Sequence, residues 1–229
     1  MAKKSNRREK KISLAEAIST ENIVSCLEKL DEISKPRNFN QAIELYINLR
    51  DIDLKKPENR INMTVKVRNP ITDKPSICIF ADGEVALNAK KLNIPCITSE
   101  ELGKLAGDKR KAKKLARQYE FFYAIPQLMP VIGRSLGAIL GPRGKMPTVL
   151  TPAMKLDKIA EDSMRTVRIR VRKSPMVHCK VGHEKMDKKS IAENIIDIIN
   201  SVKDALPQGV RNIKSIFIKK TMGPAVQVY

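Results

Sequence analysis

Hydrophobic and polar residues follow different periods in different parts of this chain. From Phe39 to Leu49 they alternate, which is typical of a strand with one buried face, and Ile61 to Val67 repeats the pattern. Between about residues 77 and 125, short apolar runs alternate with helical stretches, as in a parallel α/β domain. Strict alternation returns at Val167. A helix with a long apolar stripe follows Asp187, and a last strand runs from Ile213 to Ile218.

These changes predict two domains. Residues 1–68 and 162–229 would form a split α+β domain from both parts of the chain, with one hairpin-like strand pair in each part. Residues 69–161 would form an inserted α/β domain. Ser13 and Glu16 have the spacing of a helix-capping box, and a helical apolar stripe continues to Leu30 and ends before Pro36.

The charge balance indicates a polyanionic partner. The chain has 44 Lys and Arg residues against 25 Asp and Glu residues, a formal net charge of +19. Residues 1–18 read as a basic arm with no apolar core behind it, so we expect no signal peptide. No segment approaches the roughly 18 apolar residues of a spanning helix. The four cysteines have no C-x-x-C spacing, so neither a zinc site nor a disulfide framework is expected, and we predict a cytoplasmic protein.

A row of arginines lies on one face of the predicted strand after residue 166. Arg168, Arg170 and Arg172 are spaced by two, so their side chains project to the same side, and Lys173 extends the row. Guanidinium groups in a fixed row suit phosphate contact. A solvated outer face of an antiparallel sheet is the alternative.

A second basic run extends from Lys104 to Arg117, with Asp108 as its one acidic residue. The run is either a solvated helix face or a surface for RNA, because such charge density usually needs a polyanion nearby.

Glycines at 133, 137, 141 and 144 lead into Lys145 and call for comparison with a phosphate-binding loop. A P-loop would need glycine at Ile139 and a hydroxyl at Met146, and Pro142 removes an amide, so nucleotide hydrolysis is not expected. We expect Leu140 to Pro147 to form a stiff basic loop, for RNA contact or for packing between domains.

His178, Cys179 and His183 lie close together in the sequence but do not make a metal site. His178 and Cys179 are adjacent on a strand and point to opposite faces, and no fourth ligand has workable spacing. With no catalytic constellation in view, we expect no enzyme and no cofactor.

The last predicted strand runs into Lys219-Lys220-Thr221-Met222-Gly223-Pro224. Gly223 permits unusual backbone angles and close approach of a partner, Thr221 offers a hydroxyl, and Met222 offers a polarizable apolar surface. Such a turn beside cations suits ribose and phosphate. An ordinary turn before a final strand, Ala225 to Tyr229, is the alternative.

Several motifs together resemble one family, the large-subunit ribosomal protein L-one family of the mobile stalk, in its archaeal form. They are Phe39 with Glu44, Leu140-Gly141-Pro142-Arg143-Gly144, Val181-Gly182, Ala192-Glu193-Asn194 and Thr221-Met222-Gly223-Pro224. The resemblance runs from about Ile23 to the C-terminal residues. The archaeal form is indicated by Asn48 to Leu54 and by Arg143 to Pro147.

The resemblance implies that the split domain holds the RNA-binding surface and that the insert is a Rossmann-like domain without a nucleotide. It implies binding to large-subunit rRNA, with the stalk contacting exit-site tRNA, and repression of translation through the protein's own mRNA. Carried over by position, the RNA-contacting residues are Phe39, Glu44, Lys173, Ser215, Thr221, Met222 and Gly223. Ala42 stands where relatives usually have a hydroxyl, and Asn38 where bacterial members have lysine.

Residue chemistry gives these positions separate tasks. Glu44, Ser215 and Thr221 can bond ribose hydroxyls or base amino groups. The arginine row and Lys219 or Lys220 would supply phosphate affinity. Two alternatives stay open, namely core packing for Phe39 and a surface salt bridge to a lysine for Glu44. The leading function is therefore a structural RNA-binding protein of the ribosome. A free RNA-binding regulator outside the ribosome is the alternative, and an enzyme with a nucleotide-binding insert is the rival from another class.

Overall fold

The computed structural model describes residues 18–56, 59–151, 155–171 and 174–229, which divide into two compact units. Unit 1 contains the described residues up to Ile71 and those from Thr166 to Tyr229, and unit 2 contains those from Thr72 to Arg165. The boundaries predicted near residues 69 and 161 lie a few residues before these positions. The predicted fold class, a mixture of α/β and α+β structure, is confirmed. The arm up to residue 17, including the capping box at Ser13, lies outside the described residues.

Unit 1 places two long helices beside a four-stranded antiparallel sheet. Its elements are α1 (Thr20–Ile33), β1 (Ala42–Leu49), β2 (Asn62–Lys66), β7 (Thr166–Arg170), β8 (Met176–His183), α7 (Lys188–Ala205), a short 3₁₀ helix (Gly209–Asn212), β9 (Ile213–Lys220) and β10 (Ala225–Gln227). The strand order in the larger sheet is β10-β9-β1-β8, and β2 pairs with β7 in a separate two-stranded sheet.

The helices of unit 1 begin at capping side chains and bury one stripe. The Ser19 hydroxyl accepts a hydrogen bond from the backbone N–H of Asn22, and the Asp187 carboxylate accepts one from Ser190. In α7 the predicted apolar positions from Ile191 to Val202 are buried. They share one core with the inward face of β1, where Leu45 and Ile47 are fully buried. Every second residue of β1 therefore faces away from this core.

The predicted hairpin-like pairs are wrong. β1 does not pair with β2, and it lies instead between β8 and β9, two strands from the far part of the sequence. β2 likewise pairs with β7, and all of unit 2 lies between these two strands in the sequence. Alternation reveals that a strand has one buried face, but every partner strand with a matching apolar face satisfies that pattern equally well. The consequence is that neither part of unit 1 has a complete sheet by itself.

Unit 2 contains a four-stranded parallel sheet with the order β4-β3-β5-β6. Its elements are β3 (Ile77–Phe80), α2 (Gly83–Lys91), β4 (Cys96–Ile97), α3 (Ser99–Gly107), α4 (Lys109–Gln118), β5 (Phe121–Ala124), a 3₁₀ turn (Pro126–Leu128), α5 (Met129–Arg143), β6 (Thr148–Val149) and α6 (Leu156–Met164). All four residues of β3 are buried, as a central parallel strand requires.

The loop expected from Leu140 to Pro147 begins only after Arg143, because α5 continues to that residue. Gly133, Gly137 and Gly141 lie within α5, and Gly144 ends it with a positive φ of 67°, the left-handed conformation that favours glycine. The Nζ of Lys145 then donates to the carbonyls of Ala116 (3.1 Å) and Tyr119 (2.7 Å) at the end of α4. The Lys145 ammonium thus caps a neighbouring helix inside unit 2.

Candidate nucleic-acid interface

The outward side chains of the larger sheet form a continuous surface, which we call the polar face. Across the strands, Glu44 lies between Lys180 and Lys219, and Tyr46 lies between His178 and Phe217. Asn48 pairs with Ser215, and its side-chain amide donates to the Ser215 hydroxyl at 2.9 Å. The polar face consists of Glu44, Tyr46, Asn48, His178, Lys180, Ser215, Phe217 and Lys219. It combines cations, hydrogen-bonding groups and rings within one sheet.

Glu44 is held by a neighbour on its own strand. The Tyr46 hydroxyl donates to the Glu44 carboxylate at 2.6 Å, and this hydrogen bond, together with partial burial and the negative charge, raises the pKa of Tyr46 to about 12. The salt bridge between Glu44 and a lysine, the alternative from the sequence, stays open, because Lys180 and Lys219 lie opposite Glu44 on the two neighbouring strands. The bond to Tyr46 uses one carboxylate oxygen, so the other can accept hydrogen bonds from a ligand.

Aromatic rings occupy the row next to Glu44. The rings of Tyr46 and His178 stack with centroids 6.3 Å apart and planes 22° apart. Phe217 is half-buried on the other side of Tyr46. Such rings provide flat apolar faces on which nucleic-acid bases stack. The sequence prediction named neither Tyr46 nor Phe217, although both hold outward positions in alternating strands.

The turn from Thr221 to Pro224 joins β9 to β10 and is bonded to the start of β1. Thr221 donates to the Ala42 carbonyl from its backbone N–H at 3.1 Å and from its hydroxyl at 3.3 Å. The N–H of Met222 donates to Oε1 of Gln41 at 3.2 Å, although the Met222 side chain is 58% exposed. The turn is therefore fixed in position while its side chains face solvent.

A partly buried polar network supports this turn. Gln41 is 1% exposed, and its backbone exchanges two hydrogen bonds of 3.1 Å with Glu184. Lys220 is also buried, and its ammonium lies 2.8 Å from the Asp31 carboxylate and 3.7 Å from Glu184. Lys188 contacts Asp31 at 2.9 Å. A phosphate role for Lys220, which the sequence left open beside Lys219, is therefore not supported, because the Lys220 side chain lies inside unit 1.

Gly223 is required by close packing rather than by unusual backbone angles. Its φ is not among the positive values found at other glycines, but a Cβ there would lie 2.9 Å from the Ser34 hydroxyl oxygen and 3.2 Å from Cβ of Lys220. Within the described part of the chain, the buried Ser34 oxygen has no hydrogen-bond partner. The close approach predicted at Gly223 thus exists within the protein, toward the end of α1.

The remaining predicted site residues fall into separate groups. Phe39 lies three residues before the start of β1 and is 47% exposed, so the alternative of core packing is wrong. Ser215 and Lys219 belong to the polar face. Arg168 and Arg170 alternate with buried neighbours as predicted, but they lie in the smaller sheet opposite Thr64 and Asn62. Arg168 and Arg170 are therefore not on the sheet that carries the turn. Arg172 and Lys173 lie outside the described residues.

A cavity of about 880 Å³ lies in unit 2, at the carboxyl ends of β3 and β5. Ligands of open α/β sheets usually bind at such a place. Here, however, Asp82 is the N-cap of α2 and Glu84 lies in its first turn, where a nucleotide phosphate would otherwise be held. These two carboxylates disfavour a nucleotide in the cavity.

In the ranges that the structure describes, no group of three or more His, Cys, Asp and Glu residues is arranged to hold a metal ion. The described helices include none that is long and apolar enough to cross a membrane.

Comparison with known proteins relates residues 27–224 to the Ribosomal protein L1p/L10e family. A protein of Thermococcus kodakarensis named large ribosomal subunit protein uL1 is 45% identical over 213 residues, covering 93% of this chain and 99% of the relative. Proteins of the same name from Pyrococcus abyssi and Archaeoglobus fulgidus are 46% and 40% identical, covering 90% and 92% of this chain and 94% and 99% of the relatives.

These relatives are archaeal, as the sequence motifs indicated, and the family is one of ribosomal proteins and not of enzymes. The matched region includes most of both parts of unit 1 and all of unit 2. The chain therefore belongs to the Ribosomal protein L1p/L10e family.

Proposed function

We propose that this chain is a structural protein of the large ribosomal subunit, where it binds large-subunit rRNA through unit 1 and forms the mobile stalk near the tRNA exit site. The observation that carries the proposal is the turn at Thr221 to Gly223, which is fixed by Gln41 and Ala42 and stands beside the polar face. The relatives named large ribosomal subunit protein uL1 support the same assignment.

The polar face offers separate groups for separate parts of an RNA. Lys180 and Lys219 flank Glu44 and supply charge for phosphates. The second oxygen of Glu44 and the hydroxyls of Ser215 and Thr221 can accept hydrogen bonds from 2′-hydroxyls, the group that separates RNA from DNA. Exposed Phe39 and Met222 add apolar contact for bases or riboses at the end of the face.

Rigidity of the turn favours RNA that is already folded. Because the backbone N–H groups of Thr221 and Met222 are bonded within the protein, the turn does not have to be ordered when RNA binds. Such a surface recognises a local RNA shape, and another RNA with that shape competes for the same contacts. This supports a second role, repression of translation through the chain's own mRNA, and it leaves contact between the stalk and exit-site tRNA as a further part of the proposal.

Two measurements test the assignment. The protein should sediment with large subunits in the cytoplasmic fraction after a wash in high salt, whereas a free RNA-binding regulator would be released. Thr221→Ala should reduce affinity for a stalk rRNA fragment, and an mRNA segment of the same shape should compete for the wild type. Release of the wild type by the wash, together with unchanged binding by Thr221→Ala, would refute the assignment.

A further inference from the structure

The outer surface of α4 carries a concentrated positive charge. Ala112 and Ala116 pack into the core of unit 2, and Leu115 is half-buried against it. All the basic side chains point outward and are exposed, namely Lys109, Arg110, Lys111, Lys113, Lys114 and Arg117. We call these six residues the α4 basic face.

Little of this charge is neutralised inside the protein. Lys111 lies 3.5 Å from the Asp108 carboxylate, and within the described part of the chain this is the one ion pair of the α4 basic face. Arg110 and Lys114 are four residues apart, as are Lys109 and Lys113, and like charges at that spacing repel each other on a helix. The helix keeps a charge pattern that destabilises it, which argues that the pattern serves an external anion.

The helix that carries this face is held rigidly at both ends. The Asp108 carboxylate accepts hydrogen bonds from the N–H groups of Arg110 at 2.9 Å and Lys111 at 3.1 Å. At the other end, Lys145 donates to two carbonyls of the last turn and its cap. The charges therefore stand on a fixed scaffold before any ligand binds.

We propose that the α4 basic face is a second RNA-binding surface, which holds the phosphate backbone of a double-helical RNA without reading its sequence. The inference rests on the proposed function only in taking RNA as the polyanion, because it uses none of the residues of the turn or the polar face. Lysine and arginine on a helix can contact phosphates in this way, whatever the sequence of the bases.

The composition of the α4 basic face distinguishes between possible partners. A membrane-bound amphipathic helix inserts an apolar side, but the apolar side of α4 is already packed in unit 2. A protein partner would be expected to find aromatic or aliphatic anchors at the centre of the face, and none of the six residues is apolar. Single-stranded RNA would need rings for stacking, which the face also lacks. The backbone of a duplex remains as the fitting ligand.

Neutralisation of four charges tests the proposal in the full chain. The variant combines Arg110→Gln, Lys113→Gln, Lys114→Gln and Arg117→Gln, since glutamine keeps the helix propensity. The matched control combines Lys74→Gln, Lys90→Gln, Lys91→Gln and Lys158→Gln, four exposed lysines of the same unit with the same change in net charge. Binding is measured on a duplex RNA of random sequence over a range of salt concentrations.

We expect the α4 variant to bind this duplex at least about tenfold more weakly at low salt, with a salt slope shallower by about two to four. Its melting temperature should stay the same or rise, because repulsion along the helix is relieved. Equal losses in the control would show that net charge alone matters, and no loss in the α4 variant would exclude the surface. Loss of binding to phosphatidylglycerol vesicles with unchanged RNA binding would reassign the face to membranes.

Two further binding measurements identify which kind of RNA the α4 basic face prefers and distinguish this face from the proposed turn site. Binding of the α4 variant to a tRNA and to a helical segment of large-subunit rRNA shows which duplex the face prefers. Thr221→Ala should weaken binding to the stalk rRNA fragment and leave binding to the random duplex unchanged. Failure of that arm alone would contradict the proposed turn site, whereas failure of the α4 arm alone would contradict this inference.

Discussion

Gly223 and Ser34 lie so close that a side chain at residue 223 would require one of them to move. A Cβ at residue 223 would be 2.9 Å from the Ser34 hydroxyl oxygen, which itself is buried without a hydrogen-bond partner in the described residues. The turn of the candidate site is thereby packed against the end of α1. A substitution at Gly223 acts on the fold of unit 1 before it acts on a ligand.

We predict that Gly223→Ala lowers the free energy of unfolding by about 1–3 kcal/mol through this overlap. Ser34→Ala alone should be neutral or slightly stabilising, because it removes an unsatisfied buried hydroxyl. In the double variant, Ser34→Ala should recover part of the loss. Urea unfolding of the four proteins measures the coupling, and purely additive effects would show that the contact does not limit residue 223.

The Thr221 hydroxyl can be removed with little damage to the fold. Its bond to the Ala42 carbonyl is long at 3.3 Å, and the side chain is exposed. Thr221→Ala should therefore leave the melting temperature nearly unchanged but cost about 1–3 kcal/mol of rRNA binding if the hydroxyl pairs with a buried RNA group. Thr148→Ala, at an exposed threonine of unit 2, is the control. If Thr221→Ala and Thr148→Ala bind rRNA with equal affinity, the Thr221 hydroxyl is not an RNA contact.

Gln41 should affect RNA binding without contacting RNA, since it is 1% exposed and bonded to the N–H of Met222. Gln41→Leu removes that acceptor and should release the turn. We expect faster amide hydrogen exchange at Met222 and a loss of roughly 1–2 kcal/mol of affinity, because the turn must then be ordered on binding. Unchanged exchange at Met222 would show that Gln41 does not hold the turn.

Acid should destabilise unit 1 through Asp31. Burial would raise the pKa of Asp31, but the hydrogen bonds and positive charges of Lys188 and Lys220 outweigh burial and lower the pKa below the ordinary 3.8. The unfolded state thus takes up the proton first, so the stability is present above about pH 4 and is lost as the pH falls toward the lower folded value.

The acid effect is measured by urea unfolding of the wild type and Asp31→Asn between about pH 6 and pH 3. Asp31→Asn should be less stable at pH 6 because Lys220 loses a partner, and its stability should change less with acid. Parallel pH dependences of the two proteins would contradict the role of Asp31.

Lys145 should stabilise α4 and leave specific RNA binding alone. Lys145→Met keeps most of the side chain but loses the bonds to the Ala116 and Tyr119 carbonyls, which should cost about 1–2 kcal/mol. Faster hydrogen exchange of the α4 amides would report the loss. Weaker binding to a stalk rRNA fragment, with α4 exchange unchanged, would instead make Lys145 an RNA contact.

Local patterns predicted the elements well because burial is periodic. The alternation from Ile43 to Leu49 and the stripe of α7 are visible without knowledge of any partner. The outward positions Tyr46 and Phe217 could have been found in the same way, once both strands were assigned to one sheet.

Long-range contacts could not be predicted in this way. Lys220 occupies one of the buried positions in the alternating pattern of β9. Its partners Asp31 and Glu184 are distant in sequence. Nothing in the residues around Lys145 indicates that it caps α4. The strands that pair with β1, namely β8 and β9, are also distant from it in sequence. The apolar pattern of β1 specifies that one face is buried but does not specify which strands lie beside it.

The place of β1 between β8 and β9 sets an order of events during synthesis. A ribosome makes β1 early, but both neighbours of that strand are made only after all of unit 2. Both edges of β1 therefore stay unpaired during this part of synthesis. Unit 2 is formed by one contiguous segment of the chain, so it can fold first. The RNA-binding surface proposed here would then be the last part of the molecule to form, so an unfinished chain could not occupy its RNA.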